Sequence, residues 1–419
     1  MSREPHLSRR AALTGLAATC AAGLMSRASA EEAVPIFSST GPNADRYGAA
    51  AGYPVPDAAR ARWQGNPWQP ADRVGAFTHI DDIYPTRQVK RAAVPWAFKR
   101  APVELSDPFR AEVTGYLARN PVTGLLIAKD DQILFEHYQY GRTDRHRFVS
   151  QSMVKSITGL LIGIAVSEGA IKSVDDTAEM YVRGFRGSEY GRTPIHDLLH
   201  MSSGIDFGEE AEGGRDLNRL WQDMVAGFSG KGTVNSIVQF NHRIAPPGTR
   251  FHYASIEPDV LGMVLRNATG KSLSDCLQEK IWQPIGTEAD ARWMVDAEGF
   301  ELAHFGFNAV LRDYARLARL LAHDGAWGGR QIIPAQWVID ATTVRPSGGY
   351  LAPGKADRDF GYGYLLWLLP WGQRQFAMFG DFGQRVCIDP ASKIVIVQTG
   401  LEQTPEIWKL WLAALKRFS

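Results

Sequence analysis

Apolar and polar positions change their rhythm several times along this chain, and each rhythm predicts an element. Glu104–Asn120, "ELSDPFRAEVTGYLARN", has apolar residues at helical spacing. In "TGLLIAKDDQILFEHYQYG", Thr123–Gly141, two apolar runs flank the polar Lys129-Asp130-Asp131, which predicts a hairpin of two strands. A helix should follow at once. Met153, Ile157, Leu160, Leu161 and Ile164 form an apolar stripe, and Ser152, Ser156, Gly159 and Gly163 form a second stripe of small residues. The second stripe should let another element approach closely, so this helix should be buried on more than one face.

From about 165 to 340 the pattern is mostly helical, broken by Gly and Pro turns; "LRDYARLARLLAHDG" is an amphipathic helix stopped at Gly325. Strand-like runs return after 355 in "YGYLLWLLP", "QFAMFGD", "QRVCIDP" and "KIVIVQTG". A last helix, "TPEIWKLWLAALKRF", carries Pro405 near its start. Strands at both ends with helices between predict an α+β fold: one sheet assembled from both chain ends, flanking helices and a mostly helical insertion. Residues 31–100, rich in Pro, Gly, Trp and Ala, read as an irregular arm packed onto a body at 101–419.

The first thirty residues differ in composition. A basic start, a mild apolar stretch from Ala11 to Met25 and a small-residue site at Ala28-Ser29-Ala30 read as an export signal. Arg9-Arg10 after Ser8 looks like a twin-arginine signal, with an ordinary secretory signal as the alternative. The expected location is therefore periplasmic or secreted. Loss of residues 1–30 removes four arginines and one glutamate, which takes the chain from +1 to near −2. Nothing in that charge points to nucleic acid or, once the leader is gone, to a membrane surface. Cys276 and Cys387, the remaining cysteines, read as buried thiols rather than a disulfide framework. The expected partner is a small-molecule substrate.

Ser152 and Lys155 stand one helical turn apart, so their side chains can meet. A charged lysine on a buried helix is costly unless it is paired or neutral, and a neutral amine beside a hydroxyl is a plausible general base. A snorkelling lysine and a helix-capping serine explain the same helix equally well. The surrounding motifs decide between them. "TPIHDLLHMSSGIDF" places a helix and a Gly turn at Thr193–Phe207, "PPGTRFHYASIEPDVLGMVL" places Tyr253-Ala254-Ser255 before a helix, and "AMFGDFGQRVCIDP" is a Gly-punctuated late strand.

Taken in order, these motifs resemble the serine β-lactamase and penicillin-binding-protein superfamily, nearest its class C-like esterases and hydrolases. Within it they are most similar to the 6-aminohexanoate-dimer hydrolases, the nylon-oligomer amidases. The likeness covers nearly all of the chain after the leader. It implies a β-lactamase/transpeptidase-like fold and an acyl-enzyme mechanism on small linear amides or esters, with broad esterase activity, weak β-lactamase activity or turnover-free binding as alternatives. Carried over by motif, Ser152 would be the nucleophile, Lys155 would take its proton, and Tyr253 would act as general acid and base. Ser255 would bond Lys155 or the substrate. A backbone N–H near Asp381, with Phe382 as rival, would complete the oxyanion hole with that of Ser152. No cofactor or metal is implied.

Two departures bear on substrate. The late strand carries "FGDFG" where β-lactamases have Lys-Thr-Gly, so the cation that helps hold a substrate carboxylate is missing there, and Tyr253-Ala254-Ser255 lacks the usual Asn. Phe207 occupies a position where the nylon-oligomer amidases have a tyrosine near the scissile amide, which shifts the expectation towards esters. His196 and His200 have the spacing of a zinc helix, but Asp197 replaces the usual Glu and the pair reads as a helix start and a packed histidine. No Gly-x-Ser-x-Gly elbow occurs, against an α/β-hydrolase.

Overall fold

The computed structural model describes residues 35–48, 68–209, 214–226, 230–372 and 374–419, and Pro35–Ser419 forms one compact unit. The export signal lies outside the described residues. Five strands carry the main sheet: β1 (Val122–Lys129), β2 (Gln132–Tyr138), β3 (Phe376–Gly380), β4 (Gln384–Asp389) and β5 (Ile394–Gly400). Their spatial order is β2-β1-β5-β4-β3, all antiparallel, so the last strand of the chain pairs with the early hairpin, Ile396 opposite Ile127. The hairpin turns at Asp130, in left-handed conformation at φ 51°.

Burial on both faces explains why β1 is an unbroken apolar run. Leu126 and Ala128 face the larger core, with helices α2 (Val154–Ser167), α3 (Ile256–Thr269) and α4 (Leu311–Ala322). Leu125 and Ile127 face a smaller core closed by α1 (Pro108–Arg119) and α5 (Ile407–Phe418), through Phe109, Val113, Leu117, Leu410 and Trp411.

A second, four-stranded antiparallel sheet joins Thr86–Val89, Ala291–Met294, Phe307–Ala309 and Phe148–Val149. The described part of the arm thus supplies an edge strand to this sheet and another, Ile36–Phe37, parallel to β2.

Helix α2 is buried nearly all round, as its two stripes predict. A Cβ on Gly163 would stand 2.4 Å from the Trp337 ring, and one on Gly159 3.0 Å from the Tyr364 carbonyl. The run "YGYLLWLLP" is not one strand. Gly361–Tyr362 and Trp367–Leu368 pair as a hairpin that turns at Leu365, φ 54°. Tertiary hydrogen bonds fix that turn: Leu365 donates its N–H to the Leu199 carbonyl at 2.9 Å and accepts from the Ser156 hydroxyl at 2.6 Å.

Candidate active site

The second sheet delivers the chain to the site. Ser150 N–H donates to the Phe307 carbonyl at 2.7 Å directly after the strand Phe148–Val149. Gln151 then takes a left-handed conformation, φ 48°, and Ser152 follows in a 3-10 turn that leads into α2. A non-glycine residue in that region costs on the order of 1–3 kcal/mol, so the surrounding packing has to hold it. Strand β3 supplies part of that packing. A Cβ on Gly380 would stand 2.4 Å from the Ser150 carbonyl and 2.8 Å from Gln151 Cβ. Only glycine lets β3 come this close to the serine turn.

Lys155 is 2% exposed. Its Nζ meets three hydroxyl oxygens: Ser152 Oγ at 2.7 Å, Tyr253 Oη at 2.8 Å and Ser255 Oγ at 3.0 Å. The three hydroxyls surround the nitrogen, and no carboxylate among the described residues pairs with it directly. Tyr253 comes from the segment before α3, where its ring stacks on Trp367 at 5.6 Å and meets Tyr362 edge-on at 6.2 Å. Burial pushes the Tyr253 phenol above its ordinary range, against the downward pull of the Lys155 charge. Tyr253 is therefore not a group whose proton the site loosens.

Glu209, which sequence reasoning passed over, completes the cluster. Ser255 donates its hydroxyl to Glu209 Oε1 at 2.6 Å and its N–H to Oε2 at 2.7 Å. No single-sequence signal marks Glu209, since its partner lies 46 residues on.

These groups lie on a cavity of about 760 Å³. Ser152, Tyr253, Ser255 and Glu209 line it with Gly380, Asp381 and Phe382, and Trp68, Trp221, Phe305 and Trp367 give apolar wall. The exposed Asp381 and the left-handed Phe382, φ 59°, both reach the cavity; the Phe382 ring stacks on Trp68 at 6.2 Å and lies under Arg73. Phe207 does not reach it. That side chain is fully buried in the core, edge-on to Phe240 at 5.0 Å, because the chain carries Glu209 rather than Phe207 to the cavity. Phe207 therefore carries no preference for esters over amides.

The missing cation is also found, on the neighbouring strand. Arg385 of β4, opposite Phe379, lines the cavity. It donates Nη1 hydrogens to the carbonyls of Gly380 at 2.6 Å and Gln384 at 2.7 Å, and Nη2 to Gln403 Oε1 at 2.6 Å. A guanidinium has five N–H bonds, so Nε–H and one Nη2 hydrogen are left over, and no carboxylate among the described residues lies within ion-pair distance. His196 and His200 line a different cavity, where His196 Nε2 sits 3.0 Å from Asp197.

This fold and this Ser-Lys-Tyr cluster define a class. The Beta-lactamase family model matches residues 109–399, and the chain belongs to that family. It is a serine hydrolase. Among individual relatives, it is 26% identical to the 6-aminohexanoate-dimer hydrolase of Paenarthrobacter ureafaciens, over 88% of this chain and 93% of that one. A proposed 6-aminohexanoate-dimer hydrolase from Bacillus anthracis shares the fold with TM-score 0.72 and 23% identity, over 85% of this chain and 94% of that one. A family VIII carboxylesterase does so with TM-score 0.56 and 16% identity, over 75% and 99%.

Proposed function

We propose that the chain hydrolyses small linear amides or esters through an acyl-enzyme on Ser152. The observation that carries this reading is the Lys155 amine, 2.7 Å from Ser152 Oγ and 2.8 Å from Tyr253 Oη on the wall of a cavity. Ser152 Oγ attacks the substrate carbonyl carbon and its proton passes to the lone pair of Lys155 in its neutral amine form. The oxyanion takes hydrogen bonds from the Ser152 and Asp381 N–H groups, the part of the site that Gly380 lets close in. Tyr253, whose raised phenol is protonated at neutral pH, gives its proton to the leaving amine or alcohol and is reprotonated from Lys155. Water then attacks the acyl-enzyme by the reverse proton route and releases the acid.

The unpartnered N–H bonds of Arg385 favour substrates that carry a carboxylate, and the similarity to a 6-aminohexanoate-dimer hydrolase favours a linear amide. The test is a panel of linear amides, esters and lactams on the purified protein, with Lys155→Ala and Tyr253→Phe alongside. Each variant should lose at least ~10³-fold in kcat; a near-normal rate in either overturns its role, and rapid lactam turnover with none of linear amides or esters overturns the substrate class. We further propose export to the periplasm or beyond, with removal of residues 1–30. N-terminal sequencing of the exported protein should then begin at Glu31.

A further inference from the structure

Glu209 meets the cluster only through Ser255. A hydroxyl has one proton, and a carboxylate can only accept. Since Ser255 Oγ lies 2.6 Å from Glu209 Oε1, its proton is committed to Glu209, and the lone pairs of Oγ are what Lys155 meets at 3.0 Å. The Ser255 N–H on Oε2 holds the carboxylate in that orientation. Glu209 is 9% exposed and makes no ion pair among the described residues. The two hydrogen bonds laid end to end put its charge within about 5.6 Å of the Lys155 nitrogen.

We propose that Glu209 is a positioning residue that works through Ser255. It fixes the direction of the Ser255 hydroxyl, so that one Lys155 hydrogen is always spent there and the rest of the amine faces Ser152 and Tyr253. Its charge sets the pH at which this cluster becomes active. The inference rests on the acyl-enzyme reading above. The sign follows from the charge. A negative group here favours the Lys155 ammonium and opposes a Tyr253 phenolate, and Glu209 does raise the Tyr253 phenol. Removing it should move both limbs of the pH–rate profile to lower pH.

The other ionisable groups nearby are the same in protein and variant. Tyr190 and Tyr362 are held neutral by burial. Glu257 on α3 is pushed well above the usual carboxylate range by burial. Asp216 accepts the Gly208 N–H at 2.8 Å, and Arg385 and Asp381 lie on the cavity wall.

The experiment is kcat/KM against pH for the full protein, Glu209→Gln, Glu209→Asp and Ser255→Ala. Rates are normalised to the fraction of Ser152 labelled by a fluorophosphonate, which removes any misfolded fraction. Glu209→Gln should shift both limbs down by about two pH units, as expected for losing a unit charge at that distance and an effective dielectric near 20. Glu209→Asp should restore the position of the profile at a lower maximum. Ser255→Ala should lose ~10–100-fold in kcat with KM within about threefold. A Glu209→Gln profile superimposed on that of the parent, however low its rate, overturns the inference alone. A parent protein that neither labels nor turns over overturns the acyl-enzyme reading, and the inference with it.

Discussion

Gly380→Ala is a demanding test of the site's geometry because it changes one methyl group and nothing in the reacting cluster. Gly380 has φ −137° and ψ 156°, extended backbone that alanine adopts without strain, so the whole effect must be steric. The new Cβ would stand 2.4 Å from the Ser150 carbonyl oxygen, 2.8 Å from Gln151 Cβ and 3.0 Å from Gln384 Cβ. None of these is the end of a flexible side chain, so backbone must move. Reaching ordinary contact requires β3 and the serine turn to part by roughly 1.0 Å, in an interior packed as densely as a crystal. Oxyanion donors work within a window of about 2.7–3.1 Å, so the same movement takes one donor out of range and should lower kcat by ~10²–10³-fold. Overpacking should also cost about 1–3 kcal/mol of stability. The assay is p-nitrophenyl ester turnover with a thermal melt on the same sample. If Gly380→Ala keeps its melting temperature and a kcat within threefold of the parent, the close approach of β3 is not what builds the oxyanion site.

Two further predictions concern charge. Arg385→Ala should raise KM ~10–100-fold for a carboxylate-bearing substrate and leave its neutral methyl ester little changed, as expected for losing a charge-assisted hydrogen bond; equal effects on both, measured by steady-state kinetics, would remove Arg385 from substrate binding. His200 is pushed down to about 4 by burial, against about 6.5 when unfolded. Its contribution to stability is therefore complete above pH 6.5 and lost as pH falls towards 4, up to roughly 3 kcal/mol. Urea melts of His200→Asn against the parent should show a smaller loss of stability for the variant across that window, and parallel losses would contradict the burial argument.

Much of this site is legible in the sequence because its chemistry is local or carried by motifs. Ser152 and Lys155 share one helical turn, and Tyr253-Ala254-Ser255 stands before a helix that the pattern predicts. The small stripe Ser156, Gly159 and Gly163 foretells a close neighbour, and the structure supplies it in Tyr364, Leu365 and Trp337. What the sequence hides depends on register and on distant partners. Arg385 reaches the cavity because β3 and β4 pair Phe379 with Arg385, a register no composition argument supplies. Glu209 rather than Phe207 reaches Ser255 through an irregular segment without the periodicity that would orient it. Leu365 turns the chain back where its apolar neighbours predict a continuous strand, because α2 and Leu199 claim its backbone groups.

The whole reaction requires Ser152 to carry the substrate's acyl group between its two halves. Rapid-quench intact mass measurement during turnover of an activated ester tests that directly, with peptide mapping of the quenched protein. One acyl adduct per chain, located on Ser152 and absent from Ser152→Ala, is the predicted result. Undiminished turnover by Ser152→Ala, or an adduct on any other residue, would contradict it.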